Sequence, residues 1–238
     1  MPINTAISPT LHPDNIKAIE GYDDETAQYV APVMTAFDEA YQSLEAVHNA
    51  RMKANANPAW TEANKILQVA QLAEKYEERT RKRLESTYNN LSRSIDATDQ
   101  SLSAPLEQQA GAGTVNGEIR AHAKSLSSDQ RVKLITEAIK KGDTKTAGAI
   151  LGAPSYLSGL SDVEHEMYLR QFHEASQPET AKRLAVMRKA RDKMDSVAPL
   201  IKTGFEQALG ANKAKIAKLR KANSEAEKAF ILRDPLSD

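Results

Sequence analysis

The sequence predicts an all-α protein, on three observations. Ala, Lys, Glu, Leu, Arg and Gln dominate the 238 residues, with hydrophobic residues at 40 %, charged residues at 27 % and aromatics at only 5 %, a balance that favours long helices over sheets. Apolar residues recur at spacings of three and four along most of the chain, the period of one helix face. The prolines and glycines that interrupt this pattern are bordered by Ser, Asp and Asn, the residues that cap helix starts.

Residues 1–15 contain Pro2, Pro9 and Pro13 among small polar residues and read as an extended arm. Ile3, Ile7 and Leu11 are its apolar points, candidates for contact with a neighbouring subunit. Residues 16–102 read as a long antiparallel helical hairpin. Tyr22-Asp23-Asp24-Glu25 supplies an acidic helix start, and Val30, Met34, Phe37, Tyr41, Leu44 and His48 form one stripe. Pro32 either kinks this helix or marks its first turn. Asn57-Pro58 reads as an N-cap with proline at the first helical position. The second arm of the hairpin carries Ala63, Ile66, Ala70, Ala73, Tyr76, Thr80, Leu84, Thr87, Leu91 and Ile95 at the coiled-coil spacing. Leu44 and Leu84 are both expected to be buried.

Residues 103–117 hold Pro105, Gly111, Gly113 and Gly117 and read as a linker. A module of short helices follows over residues 118–176. Its stretch "AIKKGDTKTAGAILGAPSYLSGLSD" raises the question of a phosphate-binding loop. That loop needs the order G-x-x-x-x-G-K-[ST], whereas Thr144 precedes Lys145-Thr146 and Gly142 is misplaced. A helix joint accounts for each residue: Gly142 ends one helix, Asp143 caps the next, Gly152 and Pro154 stop it, and Ser161-Asp162 starts another. "SDVEHEMYLRQFHEA" then carries Val163, Met167, Leu169 and Phe172. Residues 177–238 read as long basic helices, opened by Pro178, kinked at Pro199 and broken at Gly210, with Ile216, Leu219, Ala226 and Phe230 on one side of the last.

No cysteine is present, so thiolate metal sites and disulfides are excluded. His165-Glu166 lacks the second histidine that a zinc-protease helix places four residues on, because Leu169 stands there. Carboxylate pairs such as Glu77-Glu78 lie in charge-dense helix and read as a solvated face. The expectation is therefore no catalytic residue, no metal and no cofactor. Met1 is followed by neither a basic segment nor an apolar run, and no stretch reaches the roughly 20 apolar residues of a membrane span. A soluble protein of a virion or of a bacterial cytoplasm is expected.

Charge is balanced overall but not along the chain. Residues 1–60 hold 3 basic and 8 acidic side chains, whereas residues 182–233 hold 14 and 5. Lys213, Lys215, Lys218, Arg220 and Lys221 are the candidate contacts, either for an acidic protein surface or for phosphates. Few aromatics accompany them, so any nucleic-acid contact would be non-specific.

The segment Gly117 to Glu179 opens on "GEIRAH", passes a "GD–T" joint and reaches "LGAPSYLSGLS". In this it resembles poorly characterised phage and prophage helical proteins. The resemblance implies a phage context and a role in the particle, and it brings no catalytic residue. The function expected is that of a structural protein of a bacteriophage particle or its assembly. Its partners would be other virion proteins or its own copies, and it would work as an oligomer.

Overall fold

A computed structural model of the chain describes residues 5–111 and 113–230. Every regular element among them is helical, as the composition and periodicity require. After a 3-10 turn at Pro9–Leu11 come α1 (Asp14–Lys17), α2 (Asp24–Ala56), α3 (Glu62–Gly111), α4 (Thr114–Ser125) and α5 (Ser128–Lys141). Then follow α6 (Thr144–Leu151), α7 (Ser155–Ser158), α8 (Asp162–Ser176), α9 (Pro178–Leu209) and α10 (Lys213–Ala229). The chain packs as two compact units. One is built from Met1–Ala18, Ala31–Tyr88 and Asp192–Asp238, the other from Ile19–Val30 and Asn89–Arg191. The five consecutive segments expected from the sequence thus give way to two units made of discontinuous stretches.

In the first unit α2 and α3 pair antiparallel. Glu39 meets Arg83 at 3.3 Å, and the Asn55 carbonyl accepts from Lys65 at 3.0 Å, so partners descend α3 as they ascend α2. Phe37, Tyr41 and Leu44 of α2 are buried with Ala70 and Ala73 of α3 and Val197, Ile201 and Phe205 of α9. Gly204 of α9 lets the Leu44 side chain lie against the helix backbone, its methyl carbons 3.1–3.2 Å from where a Cβ would stand. Leu84, by contrast, is only half-buried.

The extended-arm expectation fails. Ile3 lies outside the described residues, but Ile7 and Leu11 are 4 % and 2 % exposed. They line a small cavity of about 100 Å³ with Leu44, His48 and Leu200 of their own unit. The Asn15 amide locks the turn by donating to the carbonyls of Pro9, Thr10 and His12 at 2.8–3.1 Å. Burial of Ile7, Leu11 and Ile16 against α2 and its neighbours outweighs the proline-driven preference for extended chain, and it leaves Ile7 and Leu11 unavailable to another subunit.

One helix boundary also differs from expectation, and at another the structure selects between two alternatives. Asn57 does not start a helix: its side chain accepts from Ala59 N in a turn, and α3 begins at Glu62 with Thr61 accepting from Asn64 N. α2 starts at Asp24, so Pro32 sits inside the helix and not in its first turn. Asp23 caps it, accepting from Thr26 N while the Thr26 hydroxyl accepts from Asp23 N.

The second unit contains the short helices. The expected linker at 103–117 is largely helical, because the buried stripe Ile95, Thr98, Leu102, Leu106 and Ala110 runs straight through it. Pro105 faces outward within α3, and Gly117 lies inside α4. Leu106 joins Ala123, Ile135, Ile150, Leu160 and Phe172 in one core.

The joints are as the residues specify. Gly142 ends α5 in the left-handed conformation at φ 67°, which glycine alone adopts without cost. Asp143 caps α6 by accepting from Thr146 N at 3.0 Å, so Lys145 and Thr146 are parts of a helix start and not of a phosphate loop. Ser127 and Ser161 each make a capping box, with Gln130 and Glu164.

Two arginines hold carbonyl groups at helix ends and in the turns between helices. Arg131 donates to the carbonyls of Ala123 at 2.9 Å, Leu126 at 2.9 Å, Lys124 at 3.4 Å and Gly159. Arg120 donates to Ala110 O and Ala149 O at 3.0 and 3.2 Å.

His173 is 5 % exposed, and its ring meets the Leu102 carbonyl while Nε2 is buried without a partner. Burial holds its pKa below the ordinary 6.5, with Asp99 and Arg188, themselves paired at 2.9 Å, acting in opposite directions. The unfolded chain therefore takes up this proton first as pH falls. The stability His173 contributes is complete above pH 6.5 and is lost as pH falls through the folded value. Denaturant midpoints of the parent should fall between about pH 7 and about pH 5. His173→Phe should reduce that slope, leaving the part owed to His48, which burial also shifts downward. An unchanged slope would place the titrating group elsewhere.

Candidate interaction surface

The described residues present two distinctive exposed surfaces, one in each unit. The first is the corner where α7 meets α8. Pro154 and Gly159 bracket α7, a single turn, and Gly159 ends it at φ 75°. Ser158 is fully buried and donates to Ile150 O, which pins the turn inward. Tyr156 and Leu157 are consequently turned outward, 65 % and 38 % exposed. The Ser155 hydroxyl donates to Asp162 at 2.6 Å, tying the start of α7 to the start of α8. Tyr156 and Val163 are the residues that follow this pair.

On α8 the inward positions are Tyr168, Phe172 and His173, all buried. Val163 is 78 % exposed and Met167 36 %. The helical period puts these two on the outer face, with Asp162 and Glu166 along one side. The result is an outward apolar pair with carboxylates along one side and the exposed Arg170 next along its own face. Sequence reading grouped Val163 and Met167 with Phe172 as one apolar set. The signal that separates them is the i, i+4 pair Tyr168 and Phe172, which competes for the same inward face and is the larger.

The second surface is α10. Asn212 caps it, accepting from Lys215 N at 2.7 Å. Ile216 is buried and Leu219 half-buried, but Ala226 and Phe230 of the same stripe are exposed, Phe230 at 86 %. Its cations divide into two groups. Lys213 pairs with Glu206 at 3.2 Å, Arg220 with Glu74 at 2.7 Å, and Lys221 with Glu225 at 4.0 Å. Lys215 and Lys218 are exposed and form no ion pair among the described residues. The five thus do not form one uniform basic face.

The acidic start of the chain is also partly occupied. Asp23 and Glu25 face Lys182, and the neighbouring Glu179 carboxylate raises the Glu25 pKa.

His165, whose zinc-protease reading the sequence already rejects, has its Nε2 at 2.9 Å from the Leu151 carbonyl. His122 and Thr146 border an open groove of about 290 Å³ with Val115, Ile119 and Leu134. No helix among the described residues is long and apolar enough to cross a membrane.

No protein-family model, curated protein or solved structure matches the chain.

Proposed function

We propose that this is a structural protein of a bacteriophage particle or of its assembly pathway, acting through protein contacts and not through bond chemistry. The observation that carries the contact reading is the α7–α8 corner, where Tyr156, Leu157, Val163 and Met167 are exposed together. Single exposed apolar residues are ordinary on protein surfaces, but four of them on two short-spaced helices tied by the Ser155–Asp162 hydrogen bond support a place of association. The phage context is supported by the resemblance of Gly117 to Glu179 to phage and prophage helical proteins, the stretch that contains this corner. Its site of action is then the virion or the host cytoplasm where virions assemble.

The test is to purify intact particles and assembly intermediates from the phage or prophage that encodes the chain and to identify their proteins by mass spectrometry. The chain is expected at a fixed copy number per particle or per intermediate. Its absence from both overturns the reading.

A second reading, contact with nucleic acid through α10, is favoured by Lys215 and Lys218, which form no ion pair among the described residues. It predicts binding to DNA of any sequence that falls steeply with salt, since each neutralised phosphate releases counterion. Lys213, Arg220 and Lys221 already meet carboxylates of their own chain, which supports a protein partner instead. DNA binding is therefore expected to be weak even at low salt. Tight binding that vanishes when Lys215 and Lys218 become glutamine would reverse the choice.

A further inference from the structure

We propose that His173 is an acid-operated latch between α8 and α3, set by the Asp99–Arg188 ion pair that acts on it. His173 stands in the last turn of α8, and its own carbonyl accepts from Gln177 N at 2.8 Å where the chain turns into α9. Its side chain is buried. One ring nitrogen meets the Leu102 carbonyl of α3. The other, Nε2, is buried and has no hydrogen-bond partner among the described residues. A carbonyl only accepts, so the nitrogen facing Leu102 carries the proton and Nε2 is bare. The neutral ring thus closes the α3–α8 contact with one hydrogen bond.

Acid places a second proton on Nε2, which then needs an acceptor where the closed site supplies none. A buried imidazolium without a partner is costly. The charges that act on the ring come from two other helices. Asp99, one turn before Leu102 on α3, favours the imidazolium, and Arg188 of α9 opposes it. These two are paired with each other at 2.9 Å, so Arg188 occupies the carboxylate that could receive the new proton. The charged neighbours of His173 on α8 itself, Arg170 and Glu174, are exposed.

The sign follows from the burial that holds the folded pKa below 6.5. The open form takes up the proton first, so the closed form is fully favoured above pH 6.5 and loses ground as pH falls toward the folded value. Asp99, Leu102, His173 and Arg188 all belong to the second unit. The latch does not depend on the contact reading. Where that reading also holds, acid loosens the helix that presents Val163 and Met167.

The experiment is hydrogen exchange of the full chain between pH 7 and pH 5, read by mass spectrometry as protection factors. Amides of α8 in the parent are expected to lose protection, by a factor approaching about ten per pH unit below 6.5, the limit for one proton taken up on opening. His173→Phe should flatten that dependence. Asp99→Asn and Arg188→Gln break the same ion pair at positions that are each 44 % exposed, so both should fold, and a purely structural role would shift both alike. The latch requires opposite shifts. Asp99→Asn should deepen the loss at pH 5 by about threefold, because the imidazolium loses its carboxylate. Arg188→Gln should lessen it by about threefold, because Asp99 is then free to meet Nε2; each is the effect of about half a pKa unit. Protection of α8 that is constant from pH 7 to pH 5 in the parent overturns the proposal. So does a parental slope in His173→Phe, or the same response in the two charge variants.

Discussion

Leu44→Asp is expected to cost about 4 kcal/mol or more, the range reached when an unpaired charge is placed in a packed core. Leu44 is fully buried, and its methyl groups lie against α9 at Gly204. The small cavity beside Leu44 offers an aspartate only uncharged partners at neutral pH, among them Ser8, Thr203 and His48, whose pKa burial holds down. Against a total stability of about 5–15 kcal/mol for a domain, the loss should move the denaturant midpoint far down or leave the first unit unfolded. Leu84→Asp is the control. It sits on the α3 stripe at the same spacing but is half-buried, so its carboxylate keeps contact with water and the cost should stay near ~1 kcal/mol. Equal losses for the two variants would show that the stripe, and not burial, decides the energetics.

That comparison marks where periodicity stops being informative. It placed Phe37, Tyr41 and Leu44 on one buried face, and the capping signal placed Asp143 and Ser161 at helix starts, because both signals are local and depend on a few neighbouring residues. It failed where a long-range contact outweighed a local preference. Pro105, Gly111 and Gly117 read as a linker by their intrinsic propensities. The helices continue because Leu102, Leu106 and Ala110 are buried, Leu106 within the short-helix core, and tertiary burial overrides propensity. Ile7 and Leu11 looked like contacts for another subunit because the segment that would cover them is distant in sequence.

The candidate surfaces were legible to different degrees for the same reason. The lysines of α10 were visible as a cluster, but the ion pairs that occupy Arg220 and Lys213 join residues that sequence alone does not bring together. The outward turn of Val163 and Met167 was hidden, since a stripe shows which residues share a face and not which of two stripes faces inward. Arg120 and Arg131 gave no signal at all. Each is one arginine among many, and its value lies in carbonyl groups up to 29 residues away.

Gly152→Ala is expected to be the most damaging small substitution in the second unit. Gly152 ends α6 against the backbone of α3, and a Cβ built on it would stand under 3.0 Å from the carbonyl oxygen and carbon of Leu106 and from Gly148 O. Side chains can rotate away from an intruding methyl, but here the obstacles are peptide groups of two helices. Relief requires α6 and α3 to separate, and Leu106, Ile150 and Leu151 are packed together in the core between them. The cost should reach about 3 kcal/mol, the upper end for overpacking. The φ of Gly152 is −85°, a value alanine adopts freely, so the loss would report the close approach alone and not a backbone preference. Gly142→Ala provides the contrast. That glycine has open space where its Cβ would go but a φ of 67°, so its cost is conformational and should be near ~1 kcal/mol. Thermal or denaturant unfolding of the two variants separates the cases. If Gly152→Ala unfolds at the parental midpoint, α6 does not seat on the α3 backbone as described, and the packing that positions the α7–α8 corner must be redrawn.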